Sequence, residues 1–315
     1  MRRKMSLILV CGMPCLLVAA APGASTAPSF VLAPATEAED PPFRPQRLVL
    51  RRLPKAVGPS ITLFNGKDLN DWDTWLGYAD PAETYRANSG KPLGTAYAGG
   101  TFNVVTEDGM PALRVSGKLL GALTHKGDFG DYHLRLEYKW GKARGSSRAD
   151  RPANSGLLYH SFGQPGVMFG TWMKSVEFAL LQGSSGKVVP VAPEMRIRTS
   201  VAVDRSVIDP RRSFMLGGRD VEIRAPARGV EAGRDAERPA GRWNRLDLYV
   251  LGDKAIHVVN GAPVMMVHGI ATGDAQTGST PLTHGRIQIQ SEGSEVYFRN
   301  IVLQPIDRLP IVMAR

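Results

Sequence analysis

From Ile61 onward the chain is built of short runs in which apolar and polar residues alternate, separated by Gly, Asp and Asn. "FNVVTEDGMPALRVSG", "DYHLRLEYKW", "SGLLYHSF", "KSVEFALL", "GRIQIQSEG" and "SEVYFRNIVLQP" each have a period of two, which predicts strands with one face turned to a core. No helical stripe of any length appears. "LDLYVLGDKAIHVVNGAPVMM" reads as three strands joined by turns at Gly252-Asp253 and Asn260-Gly261, residue pairs that accept the positive φ of tight hairpins. Many short strands with turn signals between them predict an all-β antiparallel sandwich or barrel. The charged stretch from Asp204 to Gly241 reads as a long excursion from the sheet that could cover one end of it, or as a disordered segment.

The first sixty residues follow other rules. Arg2, Arg3 and Lys4 precede the apolar run "MSLILVCGMPCLLVAA", and small residues follow it, so residues 1–27 read as a secretory signal peptide. Residues 28–60 are rich in Pro and Ala and read as a linker, with a basic arm, "FRPQRLVLRRLPK", at its end. The domain is expected over 61–307, with a short tail at 308–315. Both cysteines of the 315 residues, Cys11 and Cys15, fall in the signal segment. A chain cut after that segment has no thiol for a disulfide, a metal or a nucleophile, and a periplasmic or secreted location is expected. The net charge of +10 owes much to the arm. No aromatic residues interleave with its arginines, so no nucleic-acid partner is expected. Membrane contact is expected only through the signal segment or the arm. No phosphate loop, nucleotide fingerprint or zinc signature is present.

Glu177 raises the sharpest question, because it is an ionisable residue in the middle of an apolar strand. Val176, Phe178 and Leu180 share one face, leaving Ser175, Glu177 and Ala179 on the other. That second face is either solvated or the floor of a cleft. In "DYHLRLEYKW", His133, Arg135, Glu137 and Lys139 line one face opposite a clear core face. His160 shares a face with Leu158, while Leu157 and Tyr159 take the other. His125, His257, His268 and His284 lack metal-type spacing and are given no role.

"LFNGKDLNDWDTW", "GDYHLRLEYKWG", "ANSGLLYH", "WNRLDLYVLGDKAIHVVNG" and "QSEGSEVYFRNIVLQP", in that order, resemble the 3-keto-disaccharide hydrolase family. The resemblance runs from about Ile61 to Asp307. It implies an antiparallel jelly-roll sandwich, concanavalin- or lectin-like, exported and acting on a carbohydrate, a 3-keto-glycoside. A ketone at C3 acidifies the hydrogen on C2. A base can remove it, the glycosidic oxygen leaves by elimination, and water adds to the glycal. Such a site needs a base near C2, donors or a metal at the C3 oxygen and an acid at the leaving group. The resemblance assigns Glu177 as base or metal ligand and His160 to proton transfer or metal binding. It places Glu137, Lys139, Gln290 and Glu292 at substrate-binding positions. No cofactor is named with certainty, and a divalent cation stays open.

After Glu177 the resemblance weakens. Ala179, Leu181, Gln182 and Ser184 stand where relatives often carry Gln, Glu or Asp, and Lys187 stands where an aspartate is common. Two readings follow: a 3-keto-glycoside hydrolase or lyase, and a non-catalytic carbohydrate-binding sandwich that has lost part of the polar site. An envelope scaffold tethered by the arm is a third.

Overall fold

The computed structural model describes residues 39–86, 90–95, 99–225, 228–273 and 278–315. The signal-peptide reading, both cysteines and the first part of the linker lie outside the described residues. What is described is strand, joined by loops and two short 3-10 turns, Pro81–Tyr85 and Ser146–Arg148. The antiparallel jelly-roll sandwich is the fold the chain forms.

One sheet has six strands, in the order Val188–Pro190, Lys174–Leu181, Asn154–Phe162, Arg286–Ser291, Gly121–His125, Trp72–Leu76. The other has twelve. Its centre is the long Tyr132–Arg144 strand, flanked by Asn244–Leu251 and Ser294–Pro305. The sheets face each other over a single large core. Leu157, Tyr159, Phe178 and Ile289 come from the first, and Leu134, Leu136, Tyr138 and Phe298 from the second. The two-residue alternation is what makes this layer. Each strand buries its apolar face and turns its polar face outward, so the six-stranded sheet has an outer face available for a site.

Two segments pack differently from the expectation. The arm and the tail, expected to be linker and free end, are strands: Leu48–Arg51 pairs antiparallel with Ile311–Ala314. Leu48 is buried in the main core, and Leu50 and Val312 pack on Tyr249, Ile256, Val258 and Ile306. The short apolar run Leu48–Leu50, half-buried at Val49 and flanked by exposed Arg47 and Arg51, was present in the sequence but masked by the prolines and arginines around it. The 204–241 excursion is structured where described. Arg212–Phe214 and Arg219–Arg224 pair with Met195–Val203, and Phe214, Val221, Ile223 and Val230 are buried.

Candidate active site

Glu177 leaves the core side of its strand to Val176, Phe178 and Leu180, all fully buried, and emerges on the outer face of the six-stranded sheet. Val189 lies opposite it on one neighbouring strand and Leu158 on the other. Gln290 comes up from two strands away, where it opposes Ala122. Between them is Gly156, paired with Ala179. A Cβ on Gly156 would stand 2.7 Å from Gln290 Oε1 and 3.1 Å from Glu177 Oε1. The missing side chain is therefore what lets the two polar groups meet over the sheet.

The walls come from loops. The segment after Phe162 brings Met168, Phe169 and Trp172, and the Pro81–Tyr85 turn brings Tyr85. Trp172 packs on Leu120, Ala122 and Leu158 and donates its indole N–H to the Gly121 carbonyl at 3.2 Å. Gln288 fastens the same loop, because Met173 N–H donates to its Oε1 at 3.3 Å. Tyr85, Phe169 and Trp172 form a ring cluster with centroids 5.3 to 6.3 Å apart. The result is a cavity of about 410 Å³ that holds Glu177, Gln290 and Glu292. A wider cleft of about 700 Å³ shares Tyr85 and Glu292 with it and adds Arg148 and Arg151.

Glu292 accepts from Arg148 Nη2 at 3.2 Å and from the Tyr85 hydroxyl at 3.4 Å. Gly293 makes that approach feasible. Its φ is +77°, and a Cβ there would fall 2.6 Å from Arg148 Cγ. The electrostatics follow from this crowding. Burial, and then the Glu292 carboxylate, push Glu177 up to about 8, against the weaker pull of Lys187 and Arg148. Glu292 is also shifted upward by burial, with Arg148 and Tyr85 opposing. Two carboxylates face one poorly hydrated space, and the pair holds a proton at pH values where a surface glutamate has lost it. Gln290 is buried, and its Oε1 has no hydrogen-bond partner among the described residues. An oriented acceptor left open beside a raised carboxylate is equipped to receive a hydroxyl.

Of the six sequence-assigned residues, Glu177, Gln290 and Glu292 converge here, and three do not. His160 sits on a β-bulge with φ +50°, and the register of its strand shifts between Tyr159 and Phe162. The extra residue breaks the alternation that put His160 beside Leu158. Its ring is fully buried and donates from Nε2 to the Gly252 carbonyl of the opposite sheet at 3.2 Å. Burial lowers its pKa to about 4, so it is neutral. Glu137 and Lys139 lie on the twelve-stranded sheet. Arg299 Nε and Asn300 Nδ2 donate to Glu137 at 2.7 and 3.0 Å. Lys139 donates to Asp108 at 2.7 Å, pairs with Glu107, and lies 5.2 Å from the Trp243 ring centroid. Both are tied up in ion pairs of the other layer, Glu137 partly exposed and Lys139 buried, placed there because the period-two row fixes only which side of its own strand a residue takes.

Arg148, Tyr85 and Phe169 were missed. They reach the site from loops with no periodic signal, and only a Gly-Ser run before Arg148 marks its turn. Lys187 accounts for the altered pattern after Glu177. It lies across from Ala179, whose N–H donates to its carbonyl at 2.9 Å, and its ammonium pairs with Glu231 at 2.9 Å. A divalent ion would want several acids here. Among the described residues no three His, Cys, Asp or Glu side chains converge as a metal set, and Lys187 and Arg148 flank the two carboxylates. The donors present do not suit a cation.

A family profile described as a 3-keto-alpha-glucoside-1,2-lyase-like domain matches residues 59–304. The chain belongs to this family. It is thereby a carbohydrate-active protein by kinship. No curated protein matches the chain. Among solved structures, a putative glycosyl hydrolase from Parabacteroides distasonis is 17% identical, with a TM-score of 0.45, over 79% of this chain and 94% of that one. A protein of unknown function with a galectin-like fold from Bacillus subtilis is 12% identical, with a TM-score of 0.45, over 81% and 99%. A beta-glucanase from Bacillus licheniformis is 12% identical, with a TM-score of 0.36, over 80% and 100%. The family assignment does not depend on these loose likenesses.

Proposed function

We propose that the protein is an exported 3-keto-glycoside hydrolase or lyase with Glu177 as its base. The observation that carries this reading is the raised Glu177 carboxylate, next to an open Gln290 acceptor, in a cavity rimmed by Tyr85, Phe169 and Trp172. Aromatic rings suit a sugar face, and a 410 Å³ space holds one ring. Ionised Glu177 takes the C2 proton, and the C2–H electrons move to the C3 oxygen as an enolate. Collapse of the enolate expels the C1 oxygen, which takes a proton as it leaves. The Tyr85 hydroxyl, held on Glu292, lines both the cavity and the wider cleft, where the aglycone would lie, and is assigned as that donor. Addition of water to the glycal completes hydrolysis. Export rests on the reading of residues 1–27 as a signal peptide.

The second reading, a binding sandwich without turnover, is favoured by one local fact. Ala179 stands where relatives often carry Gln, and Lys187, paired with Glu231, stands where an aspartate is common. The two part on a single assay. Purified protein is offered a 3-keto-glucoside, with release of the aglycone and loss of the keto sugar followed together. Turnover lost in Glu177→Gln supports the enzyme, whereas saturable binding with no product supports the binding module.

A further inference from the structure

A third cavity, of about 450 Å³, lies on the outer side of the twelve-stranded sheet where the Leu48–Arg51 strand passes Asn244–Leu251 and Lys254–Val259. Asp247 is at its base, buried to 2% exposure. Its Oδ1 accepts from His133 Nε2 at 2.8 Å and Arg135 Nε at 2.9 Å, and its Oδ2 from Arg245 Nε at 2.9 Å. His133 is itself fixed by stacking on Tyr249, with ring centroids 4.1 Å apart and planes 11° from parallel. One carboxylate therefore positions two guanidinium groups through their Nε atoms and leaves their Nη edges for another acceptor. Both arginines are about half exposed. Arg51, from the basic arm, and Arg315 face the same space. No side-chain partner is recorded for Arg51 among the described residues.

The charge does not balance. Arg51, Arg135 and Arg245 stand against a single carboxylate side chain, that of Asp247, among the described residues lining the space. Like charges held together in a partly enclosed space repel, and a bound anion relieves that repulsion. Guanidinium forks match the geometry of oxyanions and are more weakly hydrated than ammonium groups. Leu50, Leu53 and Val258 add an apolar wall for a carbon skeleton. We propose that this cavity binds the oxyanion group, carboxylate, sulfate or phosphate, of a small acidic molecule between Arg51, Arg135 and Arg245. The arm is then one wall of a binding site. The site shares no residue with the Glu177 cavity and does not depend on what that cavity does.

The test is calorimetric titration of the full chain with sodium sulfate, a galacturonate oligomer and a neutral glucose oligomer of equal length, at matched ionic strength. Flotation with phosphatidylglycerol vesicles runs alongside. Saturable one-to-one binding of sulfate or of the galacturonate oligomer is expected, with none for the neutral oligomer. Tighter binding of the galacturonate assigns an acidic saccharide, and equal or tighter sulfate binding assigns a free inorganic anion. Arg51→Gln should weaken binding about threefold or more, and Arg135→Gln with Arg245→Gln about tenfold or more. Should the double variant fail to fold, Arg51→Gln decides, because Arg51 makes no contact with Asp247. Absence of saturable binding by either small anion, or binding unchanged in Arg51→Gln, overturns the proposal. Capture by vesicles alone overturns it in favour of a membrane surface.

Discussion

The outer faces of the two sheets carry similar residues and treat them in opposite ways. On the twelve-stranded sheet, carboxylates are matched to cations. Asp247 has three donors, and Asp108 holds Lys139 and the Trp243 indole. For Asp247, donors and nearby arginines outweigh burial and hold its pKa below the usual carboxylate range. On the six-stranded sheet, Glu177 has no direct cationic partner among the described residues, Glu292 has one at 3.2 Å, and both are shifted upward. A satisfied carboxylate stabilises the fold, and an unsatisfied one is available to a ligand at a cost in stability. Sequence alone does not separate the two, since each is an acid in a β-strand or at its end.

The contrast is sharpest for turnover. Glu177→Gln is expected to lower the rate on a 3-keto-glucoside by about 10³-fold, while Glu137→Gln leaves it unchanged; initial-rate kinetics of both variants decide. Because Glu177 has a folded pKa near 8 against an unfolded one of 4.5, its contribution to stability is full below about 4.5 and lost as pH rises through 8. Glu177→Gln should therefore melt at or above the temperature of the native chain at pH 8.5. Asp247→Asn should do the reverse. It leaves His133 and two arginines short of a counter-charge and should cost about 3 kcal/mol in urea unfolding near neutral pH. Its depressed pKa places that stabilisation above the unfolded Asp value, and it disappears as pH falls through the folded one.

Between these extremes are the buried histidines. His257 donates from Nδ1 to the Gly186 carbonyl, accepts from the Tyr159 hydroxyl and stacks on Phe178 at 4.0 Å, directly beneath the Glu177 strand. Burial lowers it to about 3 and His160 to about 4. Folded pKa values below the unfolded value of about 6.5 mean that unfolding takes up protons. From these two histidines stability should fall as pH drops below about 6.5; their own uptake, approaching two protons near pH 5, is partly offset by the proton that Glu177 releases on unfolding, so melting against pH is read in Glu177→Gln. Gly156→Ala is expected to cost about tenfold in kcat/KM, since the added methyl displaces Gln290 and Glu177. Unfolding should change by about 1 kcal/mol; a larger loss of stability than of activity would sink that reading. The smallest effect expected is on the stability of Glu137→Gln, below about 1 kcal/mol, because its ion pair is partly solvated.

Much of the fold was legible, because a period of two along a strand states which side is buried without reference to any partner. Val176, Phe178 and Leu180 were assigned to the core from alternation alone and are there. The arm escaped notice because its apolar run is short beside its arginines and prolines. In the site, Glu177, Gln290 and Glu292 were found through family resemblance. His160 was misplaced because a bulge inserts one residue and reverses facing, and nothing in "LLYHSF" announces it. The strand face of Glu137 and Lys139 was read correctly, but their strand belongs to the sheet that does not carry the Glu177 cavity.

What the residues by themselves determined was local: strand after strand, an apolar side to each, tight turns at Asn260-Gly261 and Gly252-Asp253, and an acid set among apolar neighbours. Which strands became adjacent, and so whether that acid met a guanidinium or another carboxylate, was decided by tertiary structure. Alternation is fixed by the geometry of one extended chain. The pKa of Glu177 is fixed by charges and desolvation contributed by Arg148, Lys187 and Glu292, brought beside it only when two sheets and three loops close.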